Sequence, residues 1–159
     1  TKLEPATISV APKEAVAVPV SGSAMPSLVT PTTADAAGVN PICTAEPACP
    51  FHAVSYADAL ARGPVAVLVG TPAHCSTGIC GPVLDLLVEA AKKHTTIGYV
   101  HAEVYTDDTL KVPAPTVQAL QLTFEPSLFL VEPGGILNQR IDVIYDADEL
   151  DAALTALTT

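Results

Sequence analysis

The chain has 159 residues, 49% hydrophobic and 4% aromatic, with a formal net charge of −10. That length suits one domain with residues to spare, and its core must be aliphatic. Seven basic residues against seventeen acidic ones exclude a phosphate-binding surface, and no apolar run approaches the ~20 residues that cross a bilayer, so neither a nucleic-acid partner nor a membrane span is expected.

Residues 1–40 differ in kind from the rest. They are rich in Pro, Ala, Thr and Val, with Pro5, Pro12, Pro19, Pro26 and Pro31 spread along them. Prolines at this density exclude a helix. Ala6–Val10 and Ala15–Val20 are short strand candidates without hairpin chemistry on either side. The opening TKLEPATISV lacks the pattern of a secretory leader, as a mature form or a fragment would. The expectation is an extended linker, or the trailing edge of an upstream domain of the same protein. The alternative is an arm that pairs with the edge of the domain's sheet.

The domain itself is expected over 41–159, beginning with the cysteine-bracketed loop 41–54, PICTAEPACPFHAV. Pro41, Pro47 and Pro50 keep this loop irregular. His52 follows Cys49 by three, which raises a metal reading. The C-x5-C spacing is wider than the usual zinc knuckle, and no fourth ligand stands nearby in sequence. A structural Cys43–Cys49 disulfide is therefore expected, with no metal and no cofactor.

Ser55–Arg62 reads as a short helix with Ser55 as N-cap and Gly63 as its stop. Val65–Gly70 follows as a β-branched apolar run bounded by turn residues, a strand buried on both faces. Cys75 and Cys80 come next, and then a helix over Val83–His94 with Pro82 at its first position. Ile97–Tyr105 is a second strand, in which His101 alternates with Val100 and Ala102. Thr116–Leu122 is a short helix. Pro126–Val131 and Ile136–Ile144 form a hairpin about Pro133-Gly134-Gly135. Asp146 caps a last helix, with Leu150, Leu154 and Leu157 on one face. The order implies a mixed sheet with helices on both faces.

The strand and helix around Cys75 and Cys80 have a chemical consequence. The N–H groups and dipole at a helix N-terminus favour thiolate over thiol. Five residues apart on a regular helix, the two Cα atoms would stand about 8 Å apart. A disulfide needs about 7 Å or less, so a bonded pair requires a loop between the cysteines. Two close cysteine pairs, many prolines and few lysines suit an oxidising compartment, and an extracytoplasmic location (secreted, periplasmic or cell-envelope attached) is expected.

The strand VAVLVG, the segment TPAHC, the helix with PVLDLL, the proline in FEPSLFLV and the Pro-Gly-Gly hairpin resemble the thioredoxin superfamily over roughly residues 53–158. Within it they look most like extracytoplasmic bacterial thioredoxin-like proteins. The resemblance implies an α/β three-layer sandwich. It places the first active cysteine on Cys75, after the strand, and the cis-proline on Pro126, with Glu125 and Pro126 lining a groove for an extended partner segment. Three positions depart from the family pattern. C-x4-C replaces C-x-x-C, His74 stands where Trp usually precedes the first cysteine, and Val69 replaces the buried acid that helps deprotonate the resolving thiol.

The leading functional reading is a thiol–disulfide oxidoreductase acting on protein thiols or disulfides. Cys75 attacks, aided by the helix end and His74, and Cys80 resolves. The alternative is a non-catalytic interaction or structural module whose disulfide is inert, which the missing acid and Trp favour. Two lesser readings are a peroxiredoxin-like site, with Arg62 or Arg140 as activating cation, and a copper site of Cys75, Cys80 and either His74 or His101.

Overall fold

The structure is a computed structural model that describes residues 10, 12 and 15–159. Its elements run α1 (Tyr56–Leu60), β1 (Val65–Val69), α2 (Cys80–Ala91), β2 (Gly98–Ala102), α3 (Pro115–Leu120), β3 (Ser127–Val131), β4 (Leu137–Asp142) and α4 (Ala147–Leu157). The sheet order is β2-β1-β3-β4. β1 and β2 are parallel, while β3 runs antiparallel to both β1 and β4. Among the described residues no helix is long and apolar enough to cross a membrane.

Strand alternation sorts the core into two halves. Ala66, Leu68, Leu128, Leu130 and Ile141 point to one face, where α2 contributes Val83, Leu84 and Leu87 and α4 contributes Leu150, Leu154 and Leu157. Val65, Val67, Val69, Val100, Phe129 and Val131 point to the other, under Tyr56 and Ala59 of α1 and Val117 and Leu120 of α3. Every residue of β1 and β3 is buried, so these two strands need apolar side chains on both faces. The result is the expected three-layer α/β sandwich.

Local chemistry explains most boundaries. The Ser55 hydroxyl accepts from Asp58 N–H, and the Asp146 carboxylate accepts from Glu149 N–H, so both expected caps form. Gly134 and Gly135, at φ of 91° and 85°, make the β3–β4 turn in a region other residues avoid. α2 differs from expectation. It starts at Cys80 and ends at Ala91, so Pro82 is its third residue rather than its first. The first four N–H groups of a helix lack intrahelical acceptors, so proline is tolerated there as well. The first true helical bond is Val83 N–H to Ile79 O, at 3.1 Å.

Residues 15–40 are extended, but they lie along the domain instead of leading away from it. Ala24 bridges Ile136 antiparallel at the outer edge of β4. Gly22 N–H and Met25 N–H donate to Leu137 O and Gly135 O, each at 2.8 Å. Leu28 enters the core beneath α1 and α3, and Thr30 Oγ1 accepts from Tyr56 N–H at 2.8 Å. The sheet-edge arm is therefore the arrangement seen for this segment. Ala15–Val20 forms no strand, and the other strand candidate, Ala6–Val10, lies outside the described residues except for Val10.

Because Leu28 is buried among core residues, Leu28→Ala should lower folding stability by about 2–4 kcal/mol. A urea midpoint unchanged from wild type would show that the arm does not dock.

Candidate functional site

The site is built at the C-terminal end of β1. Cys75 and Cys80 form a disulfide with Cα atoms 5.9 Å apart. The residues between them are turns, as bonding at this spacing requires, and Cys80 opens α2. Ile79 supplies no side-chain cap to that helix. Instead Cys80 N–H donates to Cys75 Sγ at 3.3 Å, so the sulfur takes one of the free helical N–H groups. Thr77 Oγ1 lies 3.3 Å from the same sulfur. Cys75 is partly exposed, whereas Cys80 is buried.

Gly70 explains how this fits. A Cβ built on Gly70 would stand 3.3 Å from Pro126 Cβ and 3.6 Å from Cys80 Sγ. The strand end can touch both the buried cysteine and the proline only because it has no side chain. The Glu125–Pro126 bond is cis. Glu125 Oε2 accepts Thr71 N–H at 2.6 Å and lies 3.5 Å from Cys80 Sγ. A carboxyl thus stands beside the buried sulfur although β1 ends in Val69 and carries no acid. Sequence spacing does not show this, because Glu125 arrives from across the sheet.

Burial raises the Glu125 carboxyl above its ordinary 4.5, Thr71 N–H works against that rise, and the Glu103 charge adds to it. Glu103 itself is buried and raised chiefly by burial, while its oxygens accept from Thr44 N–H at 2.6 Å and Thr44 Oγ1 at 3.1 Å.

His74 turns away toward Asp108, with Nε2 3.2 Å from Oδ1. The groups within hydrogen-bonding distance of the Cys75 sulfur are Cys80 N–H and Thr77 Oγ1. Arg140 is engaged by Asp142 at 2.9 Å and by Pro19 O at 3.1 Å. A cleft of about 500 Å³ runs from Ser76 and Thr77 past Phe124 and Glu125 to Val143. Phe124, Val143 and Ile144 are exposed apolar side chains at this end of the sheet.

The second cysteine pair departs from expectation. Cys43 and Cys49 are free thiols, not a disulfide. Both sulfurs turn to His101 Nδ1, at 3.9 Å and 3.5 Å. The hydrogen bond from Cys49 draws the Cys43 thiol down against burial, and that same bond, then burial, pushes the Cys49 thiol up. His52 joins them, so Cys43, Cys49, His52 and His101 form one cluster. Cys75, Cys80 and Glu125 form another, in which the sulfurs are bonded to each other.

No family model matches the chain, and no curated protein sequence matches it. Among solved structures, the thiol:disulfide interchange protein, a thioredoxin family protein from Chlorobium tepidum TLS, aligns over 88% of this chain and 99% of its own, with TM-score 0.58 and 12% identity. The chain therefore shares the fold of that protein.

A carboxyl raised in the folded state binds its proton more tightly there than in the unfolded chain. Its stabilising contribution is full below about pH 4.5 and declines as pH rises through the folded value. Glu125→Gln mimics the protonated form. Urea midpoints of wild type and variant should agree in acid, and wild type should lose ground to the variant as pH rises. Parallel profiles would show that Glu125 titrates as an ordinary carboxyl.

Proposed function

We propose that this domain is an extracytoplasmic thiol–disulfide oxidoreductase in which Cys75 exchanges with protein partners and Cys80 resolves. The observation that carries the reading is the Cys75–Cys80 disulfide at the α2 N-terminus, its outer sulfur accessible and its inner one against a carboxyl. The shared fold with a thioredoxin family interchange protein supports it. Its cysteine usage supports the compartment.

In the oxidised protein a partner thiolate attacks Cys75 Sγ. The Cys75–Cys80 bond breaks, a mixed disulfide forms at Cys75, and Cys80 leaves as thiolate. Glu125, whose hold on a proton burial strengthens, donates a proton to Cys80. A second partner thiolate then attacks the partner's sulfur of the mixed disulfide. The partner gains a disulfide, and Cys75 departs as a thiolate held by Cys80 N–H and Thr77. Two electrons pass from the partner to the cysteine pair. The reverse reaction uses Glu125 as base toward Cys80. The partner segment fits the cleft between Thr77 and Glu125, where exposed Phe124 and Val143 offer apolar contact.

The reduction potential of the pair, from equilibration with glutathione and mass-spectrometric thiol counting, should fall between roughly −120 and −270 mV. Cys80→Ser should accumulate mixed disulfides at Cys75. A potential below about −300 mV would mark a structural bond and leave the domain a binding module. Glu125→Gln should slow formation and resolution of the mixed disulfide by about 100-fold near neutral pH. The deficit should shrink above roughly pH 9, where a thiol ionises unaided. A deficit independent of pH would assign Glu125 a structural role only.

A further inference from the structure

The cluster behind the disulfide has the shape of a metal centre. His101 is fully buried on β2, and its Nε2 lies 2.9 Å from Gly70 O. A carbonyl only accepts, so Nε2 carries the hydrogen and Nδ1 presents a lone pair. His52 is also buried, and its Nδ1 lies 3.4 Å from Pro31 O, so Nε2 presents the lone pair there. These two acceptor nitrogens face each other at 3.2 Å. Two bare lone pairs at that distance repel, and a cation between them removes the conflict. A shared proton would satisfy the nitrogens alone, but would leave two sulfurs aimed at the same point without a reason.

The distances match one geometry. A tetrahedral ion with bonds of about 2.3 Å to sulfur and about 2.05 Å to nitrogen places its nitrogens about 3.3 Å apart and each sulfur about 3.6 Å from a nitrogen. Here the nitrogens are 3.2 Å apart, the sulfurs lie 3.5 Å and 3.9 Å from His101 Nδ1, and all four donor atoms fall within 4.8 Å of one another. The backbone carbonyls of Gly70 and Pro31 fix both ring orientations, as outer partners of metal-bound histidines do. Thr44, next to Cys43, is anchored on Glu103 and also accepts Ala73 N–H at 3.1 Å.

We propose that Cys43, Cys49, His52 and His101 form a structural four-coordinate site for Zn2+, fastening the 41–54 loop to β2. Two thiolates and two neutral imidazoles are a complete tetrahedral set for a borderline divalent ion, with no position left for substrate. Binding converts two thiols to thiolates and releases two protons, and the ion's charge is balanced by the two sulfurs. The site is separate from the Cys75–Cys80 pair and stands whether or not that pair is catalytic.

The test uses the full chain with Cys75→Ser and Cys80→Ser, reduced, and Co2+ as the probe. One Co2+ per chain should bind with the visible absorption and sulfur charge-transfer bands of tetrahedral thiolate coordination, and one equivalent of Zn2+ should abolish them. Adding Cys49→Ser or His52→Ala should weaken binding by more than the roughly 10- to 100-fold expected of a residue that only positions a ligand. Absence of the bands in the reduced parent chain overturns the site without reference to any ligand variant. Undiminished binding in both variants overturns it too, as does a Cys43–Cys49 disulfide in protein recovered from its native compartment.

Discussion

Gly70 leaves little room for a side chain on its Pro126 side, and both cysteine clusters adjoin it. Its Cα side approaches Pro126 and Cys80 at distances a Cβ would fill, while its carbonyl holds the His101 ring. One residue at the end of a fully buried strand therefore packs near the disulfide, the cis-proline and the histidine of the second cluster. A methyl group here would press on the Pro126 ring, which would have to give by a few tenths of an ångström in a dense interior, and would meet Cys80 at ordinary contact distance.

The fold was legible because its signals are local or periodic. The β-branched run of β1, the caps at Ser55 and Asp146 and the two glycines of the hairpin each depend on residues close in sequence. The loop between Cys75 and Cys80 also followed from the reach of a disulfide. What sequence left hidden depends on pairing between distant strands. His101 meets the 41–54 loop because the parallel β1–β2 ladder sets Leu68 opposite it, turning His101 away from the face that Val100 and Ala102 share. Cys43, Cys49 and His52 supply three ligands within ten residues, and the fourth arrives through that register. A search for a fourth ligand along the sequence therefore fails, and the disulfide reading of the loop fails with it.

The acid beside the buried Cys80 sulfur gives a second case of the same kind. At Val69 a carboxylate would have to point into the half-core that Val67 and Val100 fill, and valine keeps that side apolar. Glu125 reaches Cys80 from the start of β3 instead, because β3 pairs directly with β1, placing Ser127 opposite Val69. The position of an acid in sequence is thus less restrictive than its position in space. A motif can lose its acid while the site retains one, provided a neighbouring strand ends at the same level.

The two cysteine pairs differ in what surrounds them, and this separates their chemistry. Cys75 and Cys80 sit where a helix N-terminus and a carboxyl flank the sulfurs, and the outer sulfur is open to a partner. Nothing there supplies two neutral nitrogen ligands. Cys43 and Cys49 face two buried imidazoles whose outer nitrogens are tied to backbone carbonyls. Those rings can take up a cation but cannot serve as leaving groups or as substrates of exchange. The two sets meet at Gly70, whose carbonyl holds the His101 ring and whose Cα side packs near the Cys80 sulfur.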